Sequence, residues 1–451
     1  MLRFLILLFC FTLTARANGT VSVARPSPPP GSVFLFAPRI GGAKIACFRL
    51  DTRTGKLAAL PDTLLPGQNA KRSLQIVRHP GGQYIYAFAP FDESLDMSEH
   101  PTQMPWYVNR TTTVVSVLRI NNRTGALTLL QTLAVPAVLG QITPHPSGRY
   151  LLGVGGDNVL LTIGVAQNGR LHLKNRSTDK RTFAMDFSGY ITAEYYDWRF
   201  APGGDYLYAL VGGWHKDAGS SIGLDRYRVG KNGNLTRFGA EWFRGRVEAE
   251  LGGDNDFGRV VPRYPVSRDP GSVVAWTRTG KTALLRTRQG AVRVCHVLRG
   301  GASLAAASPP QFLLAPRADT GRSSRGFDTP ATVAPVGKRD VLYIYDAGYC
   351  DTPYETYREV SGGRLRRVQT FRGAATRYSN SRQLIAEPTG RLLLEIRYGR
   401  VRDKNNPDNG DSLHVRLSVL RLRKNEPPVL IRGWQELSQT AGWGVVFAEP
   451  A

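Results

Sequence analysis

Two short turn signals alternate along this chain from end to end, and they leave it few folds to choose from. One is Pro-x-Gly followed by a β-rich run. It reads His79-Pro80-Gly81-Gly82 before Tyr84-Ile85-Tyr86 and His145-Pro146-Ser147-Gly148 before Tyr150-Leu151-Leu152. It returns as Ala201-Pro202-Gly203-Gly204 before Tyr206-Leu207-Tyr208 and as Glu387-Pro388-Thr389-Gly390 before Leu392-Leu393-Leu394, with weaker copies at Thr279-Gly280 and Pro335-Val336-Gly337. The other signal is Gly-x-Leu: Gly55-Lys56-Leu57, Gly125-Ala126-Leu127, Gly169-Arg170-Leu171, Gly233-Asn234-Leu235 and Gly363-Arg364-Leu365, with a degraded copy from Gly300-Gly301 to Leu304 and a last outer turn at Asn425-Glu426-Pro427. Self-similarity at a long period marks a repeat architecture.

Each repeat holds four β runs; in the second they are Ser73 to Val77, Tyr84 to Phe88, Thr112 to Ile120 and Ala126 to Leu133. Tyr, Val, Ile and Thr enrichment between Gly, Pro and Asn is the strand-and-hairpin pattern, and no stretch holds a helical period. Radial four-stranded blades satisfy such a repeat while leaving few open edges. Seven outer marks face six inner turns. The missing inner turn falls at the chain ends, where Gly444 to Pro450 reads as an inner strand and Ser32 to Phe36 as the strand that follows it. The expectation is an all-β, seven-bladed β-propeller with four-stranded blades, closed by the N- and C-terminal strands in one blade, over residues 32–451. At roughly 62 residues a blade exceeds the ~40–45 of a WD40 blade, so its connections are long.

Before the propeller, Arg3, the apolar run Phe4 to Leu13 and Ala15-Arg16-Ala17 read as a signal peptide over residues 1–17. Residues 18–31, with Pro26 and Pro28 to Pro30, read as a linker. The apolar run is too short to span a bilayer, so the expected location is exported, periplasmic or extracellular, with no transmembrane segment. Three cysteines follow the leader, Cys47, Cys295 and Cys350. An odd number gives no complete disulfide framework, and Cys47 and Cys295 occupy the same strand of different blades as buried thiols.

The net charge is +24, falling to +22 without Arg3 and Arg16. Such a balance attracts anions. The excess is Arg rather than Lys and is spread over the repeats without a basic block, which argues against a specific nucleic-acid partner and leaves an anionic envelope component or a small anionic ligand. A monomer is expected.

The blade pattern, with Asp51-Thr52-Arg53-Thr54-Gly55-Lys56-Leu57, Asn121-Asn122-Arg123-Thr124-Gly125-Ala126-Leu127 and the Pro-x-Gly turns, resembles the lactonase family of seven-bladed propellers across residues 32–450. That family includes bacterial 6-phosphogluconolactonases and carboxymuconate-cyclising enzymes. The resemblance implies a site at the start of the inner strands near the channel mouth. It implies a His seven positions before the third blade's turn glycine, where this chain has Gln141. It implies an Arg-His pair before the fourth inner strand, where this chain has Tyr196 and Asp197, and a Glu after the next strand, where it has Val211-Gly212-Gly213.

The residues that stand there instead are still polar. Gln75, Gln141, Asp197 and Gln383 lie seven before their turn glycines, and Arg72, Tyr196, Ser272, Asp328, Arg382 and Trp443 neighbour such positions. Guanidinium groups suit carboxylate or phosphate, so these ten are the candidate ligand ring, with trapped water as the structural alternative. Within it Asp197 is the candidate catalytic base, and His215, in Gly213-Trp214-His215-Lys216-Asp217, a candidate imidazole. Glu194 and Asp197, three apart, would point to opposite faces of a strand unless a bulge intervenes.

The long insertions Ala89 to Arg110, Gly212 to Ser221, Asp346 to Thr352 and Val401 to Ser412 fall on the channel-mouth face. The inter-blade stretches Asn175 to Tyr190, Phe238 to Ser272 and Ser308 to Pro330 join them there, and loops on a rigid scaffold are where function concentrates. Asp403 to Asp411 is spaced like a calcium loop but lacks the closing Glu, and no His/Cys/Asp spacing suggests zinc, so no metal or cofactor is expected.

Three functions fit. The first is a propeller binding a small polar or anionic ligand, with the family's catalytic residues replaced. The second is a hydrolase or cyclase acting on a sugar lactone or carboxylated ring through a rebuilt site. The third is an envelope adhesion or assembly scaffold.

Overall fold

The β runs between the turns meet edge to edge in seven antiparallel sheets. They are seen in a computed structural model that describes residues 32–39, 43–66, 74–88, 112–137, 139–155, 159–178, 190–215, 219–243, 274–277, 280–286, 292–306, 312–313, 332–335, 341–345, 354–360, 363–371, 381–387, 391–402, 411–423, 428–438 and 446–448. The chain opens with β1 (Ser32–Arg39), β2 (Lys44–Asp51) and β3 (Leu57–Leu64). The second blade is β4 (Gln75–Arg78), β5 (Tyr84–Phe88), β6 (Thr113–Ile120) and β7 (Leu127–Val135). The third is β8 (Leu139–Pro144), β9 (Tyr150–Gly155), β10 (Val159–Val165) and β11 (Leu171–Thr178). The fourth is β12 (Tyr190–Phe200), β13 (Tyr206–His215), β14 (Gly219–Val229) and β15 (Leu235–Phe243). The fifth is β16 (Val274–Trp276), β17 (Thr282–Arg286), β18 (Val292–Leu298) and β19 (Ser303–Ala306), and β20 (Phe312–Leu313) also pairs with β18. The sixth is β21 (Thr332–Pro335), β22 (Val341–Tyr345), β23 (Tyr354–Glu359) and β24 (Leu365–Phe371), and the seventh β25 (Ser381–Ala386), β26 (Leu392–Arg402), β27 (Asp411–Arg421) and β28 (Val429–Ser438). Finally β29 (Val446–Ala448) returns to β1, pairing Phe34 with Ala448 and Phe36 with Val446. The ring closes through both ends of the chain, as the turn count requires.

The second strands are buried along their whole length, as in β5 and β9, whereas the outermost strand β7 alternates with solvent. The core clusters explain why. From β1, Val33, Leu35 and Ala37 pack with Leu392, Leu394 and Ile396 of the seventh blade. The alternate residues Phe34 and Phe36 pack with Leu74, Ile76 and Ile85 of the second. Period-two alternation therefore divides each strand's side chains between two neighbours, and both faces are apolar. The same division joins blades two and three, three and four, and four and five. Full burial of one such side chain contributes ~1.5–3 kcal/mol, and a blade without its neighbours would lose that on both faces.

Turn chemistry links the blades on one face. The His79 Nδ1 accepts a hydrogen bond from Gly81 N–H at 2.9 Å, which leaves Nε2–H to donate to Gly148 O in the next blade at 3.1 Å. His145 repeats the device, accepting from Ser147 N–H at 3.1 Å and donating to Gly204 O at 3.0 Å. Blade four has Ala201 where an imidazole would stand, and there the Tyr208 hydroxyl donates to Gly301 O. Outer strands are tied by glutamines. Gln131 accepts from Leu171 N–H at 2.7 Å and donates to Leu171 O at 2.9 Å. Gln435 does the same to Leu57 N–H and Gly55 O, linking blades seven and one.

The structure lengthens several stretches that the sequence marks as loops. Strands β13 and β14 run on as a hairpin to His215 opposite Gly219, and β26 and β27 to Arg402 opposite Asp411. β15 continues to Phe243, and β20 lies inside the stretch Ser308 to Pro330. Gly, Ser and Asp weaken a strand's propensity, but a hairpin that continues an existing ladder keeps adding paired backbone groups. Residues 403–410, which hold most of the calcium-like stretch, lie outside the described residues, as do residues 1–31 and Cys350. Cys47 and Cys295 are thiols outside any disulfide, buried in the third strands of their blades, and burial raises the Cys47 thiol to about 11.

Two predictions follow from the ties. Gly148 has φ +71°, and a Cβ there would run into the His79 ring, whereas a Cβ on Gly300, at φ +66°, meets nothing within 4 Å. Gly148→Ala is therefore expected to cost more than about 2 kcal/mol in denaturant unfolding and Gly300→Ala only about 1 kcal/mol.

His145 is held below its ordinary 6.5 chiefly by burial, and its Nδ1 accepts a backbone N–H that an imidazolium could not receive. Its neutral form thus supports the fold above pH 6.5, and that support is lost as pH falls through the lowered value. Melting temperatures from about pH 8 down to about pH 5 are expected to fall more steeply in the wild type than in His145→Gln.

Candidate functional site

The innermost strands of successive blades are neighbours: β29, β4, β8, β12 and β16 in turn, and β21 with β25. The candidate positions sit on them at one common level. Gln75 pairs with Phe88, Gln141 with Val154, Asp197 with Leu210 and Gln383 with Ile396, so in four blades the partner lies thirteen residues further on. Counting back from the turn glycine therefore finds one rung repeated around the axis. Tyr196 and Arg382 flank this rung on β12 and β25. Arg72, Ser272, Asp328 and Trp443 lie outside the described residues.

Blades three and four carry a bulge immediately before the rung. Leu139 pairs with Gly155 and Gln141 with Val154, leaving Gly140 as the extra residue. Tyr195 pairs with Val211 and Asp197 with Leu210, leaving Tyr196 as the extra residue. A bulge redirects the strand locally and is over-represented beside functional sites. It also answers the question of Glu194 and Asp197: their partners, Gly212 and Leu210, are two apart rather than three.

The two glutamines with described side chains differ. The Gln141 amide nitrogen donates to Thr143 Oγ1 at 3.1 Å and to Trp198 O in the next blade at 3.3 Å, and the Thr143 hydroxyl also donates to Trp198 O at 3.1 Å. The Gln141 amide nitrogen thus binds one partner on its own strand and one in blade four, and together with Thr143 it ties blades three and four at Trp198 O. Gln75 Oε1 is buried and has no hydrogen-bond partner among the described residues. A buried acceptor left so costs ~1–3 kcal/mol, and it suits a hydroxyl or N–H supplied from outside the chain.

His215 ends β13, five residues beyond Leu210, the partner of Asp197. At ~3.3 Å per residue the two backbone positions are on the order of 16 Å apart along the blade.

Three buried carboxylates, Glu395, Asp225 and the turn residue Glu387, are not among the sequence-derived candidates. Glu395, fully buried on β26 one residue before the partner of Gln383, accepts from Ser418 Oγ at 3.0 Å. Asp225 is 1% exposed and pairs with Arg237 at 2.8 Å. The signal for Glu395 was present: a carboxylate inside the apolar run Leu392-Leu393-Leu394-Glu395-Ile396 of a strand buried on both faces. Among the described residues no group of three or more His, Cys, Asp or Glu gathers as a metal site, and no helix is long and apolar enough to cross a membrane.

The architecture is similar to two solved structures. One is a candidate 6-phosphogluconolactonase from Bacteroides fragilis NCTC 9343, with TM-score 0.55 and 16% identity over 94% of this chain and 100% of that one. The other is a candidate 6-phosphogluconolactonase from Bacteroides uniformis ATCC 8492, with TM-score 0.53 and 16% identity over 93% of this chain and 98% of that one. At this identity the likeness establishes the fold. No protein-family model and no curated protein matches the chain.

Proposed function

We propose that this lactonase-type propeller is an exported protein that binds a small polar or anionic ligand at the channel mouth, on the face opposite the short turns. The observation that carries the reading is Gln75 Oε1, a buried acceptor on the common rung without a partner among the described residues. An acceptor of this kind selects a ligand with a hydroxyl donor, and Arg382, next to the rung on β25, is of the residue type that suits a carboxylate or phosphate. Polyhydroxylated acids and sugar phosphates combine both features. The family's acid/base residues are replaced by Gln141, Tyr196 and Asp197, and the Gln141 amide nitrogen already serves blade packing. Binding without turnover follows from that set.

A second reading is favoured by the bulge at Tyr196. A bulge within a strand re-aims the residues beside it, and in this reading Asp197 acts as general base in a lactone hydrolase, with arginine steadying the developing oxyanion.

Calorimetric titration with sugar lactones, their open-chain acids and sugar phosphates separates the two. Gln75→Leu is expected to leave the melting temperature unchanged or higher, because it removes an unpaired buried acceptor, while lowering affinity about tenfold. Unchanged affinity across every compound that the wild type binds would refute the binding reading. Lactone hydrolysis by the wild type that disappears in Asp197→Asn, with unchanged melting, would establish the hydrolase instead.

A further inference from the structure

The face opposite the channel mouth carries a second surface that the ligand reading does not use. Basic residues scattered in sequence are gathered there by the fold. The outer turns of the first six blades each expose a cation: Arg53, Arg123, Arg170, Lys231, Arg299 and Arg364. Each lies two residues before, or one after, its turn glycine, so the blade repeat sets them at matching radial positions. Nearer the axis, the inner turns expose Arg149, Lys281 and Arg391. The turns of successive blades touch, through His79 and Gly148, His145 and Gly204, Arg226 and Ala302, and Arg421 and Arg53, so these cations share one continuous face.

Carboxylates offset them only in part. Asp205 is the one exposed acid on this face among the described residues. Asp51, which accepts from the N–H groups of Arg53 and Thr54, Glu359, which accepts from the hydroxyls of Thr277 and Thr282, and buried Glu387, which accepts from Arg391 N–H, are three more, so cations remain in excess on this face.

The shape of the face decides between partners. Four inner turns close by a glycine N–H to the carbonyl three residues back, Gly82 to His79, Gly148 to His145, Gly204 to Ala201 and Gly280 to Thr277. Among the described residues no long loop rises between them to wall a groove. A linear polyanion engages a stripe of cations or a cleft; a ring of cations on a level face is met in full only by a planar anion array. Beside the cations stand exposed aliphatic side chains: Leu298, next to Arg299, and Val429 and Leu430, at the register of Arg421. One aromatic ring near this face, Phe238, is exposed, and the Arg226 guanidinium already covers it. Single-stranded nucleic acid would ask for several open rings to stack on, whereas a bilayer interface takes up aliphatic groups flanked by cations.

We infer that this face docks on a bilayer surface rich in anionic lipid headgroups, with the channel mouth turned away from the membrane. Basic residues close to such a surface act additively and lose their effect with salt.

The test is sedimentation of the full chain with vesicles of phosphatidylcholine alone or mixed with phosphatidylglycerol, over rising NaCl. Binding is expected to the anionic vesicles alone and to weaken steeply with salt. The double variant Arg123→Glu/Arg170→Glu is expected to lower the partition coefficient at least about tenfold. The control Lys174→Glu/Arg176→Glu makes the same charge change on β11, ~13 and ~20 Å along the strand from Arg170, and is expected to change it less than about twofold. Equal binding to neutral vesicles, or equal loss in the two variants, would overturn the proposal. So would capture of heparin or duplex DNA by the same face with no binding to vesicles, which would assign the surface to a polymer instead.

Discussion

Among the described residues, blades one to five and blade seven of this propeller each depend on apolar surface that belongs to another blade. β1 divides its side chains between blade seven, through Val33 and Leu35, and blade two, through Phe34 and Phe36. A sheet buried on both faces has no solvent side on which to relax, so the ring must close before any blade is fully packed. That explains why the short β29 matters: three residue pairs with β1 supply the inner strand of the blade in which both ends of the chain meet. It also explains why polar contacts between blades are placed where backbone groups would otherwise be lost, at turns and outer edges. Gln131 and Gln435 each satisfy a donor and an acceptor of the next blade's outer strand or turn.

The same constraint divides the molecule's faces by purpose. Turns that touch the next blade's turns must stay short, because a collar of imidazole and glycine leaves no room for insertion. The opposite end is free to grow, and it does so partly as extended hairpins in blades four and seven. One face thus presents an even field of turns with a cation in almost every blade, and the other carries the length variation around the channel. The proposed ligand site and the proposed membrane-docking face thus fall at opposite ends of the ring.

Much of the scaffold was legible in the chain because turn chemistry is local. A Pro-x-Gly pair followed by Tyr-x-Tyr announces its hairpin without reference to anything distant, and counting seven residues back from the glycine does locate one rung in four blades. The extension of β13 through Gly212 to His215 was not legible, since Gly-Gly there reads as a loop until the paired strand Gly219–Val229 is known. Gln141 and Gln75 illustrate the same limit at the site. They are the same residue at the same repeat position, yet the amide of one is bound to Trp198 O and the oxygen of the other is buried without a partner among the described residues. Nothing within their own blades distinguishes them; the difference lies in what the next blade presents.

By itself the sequence determined the blade count, the closure through both termini and the rung on which a site would stand, because periodic turns and alternating side chains act over a few neighbouring residues. Tertiary structure alone decided which polar groups on that rung are used up by packing and that the bulge residue Tyr196 sets Asp197 two partner positions from Glu194. It also decided that cations dispersed along the chain share a face. Each of these is a relation between residues tens of positions apart, fixed only when the ring brings the blades together.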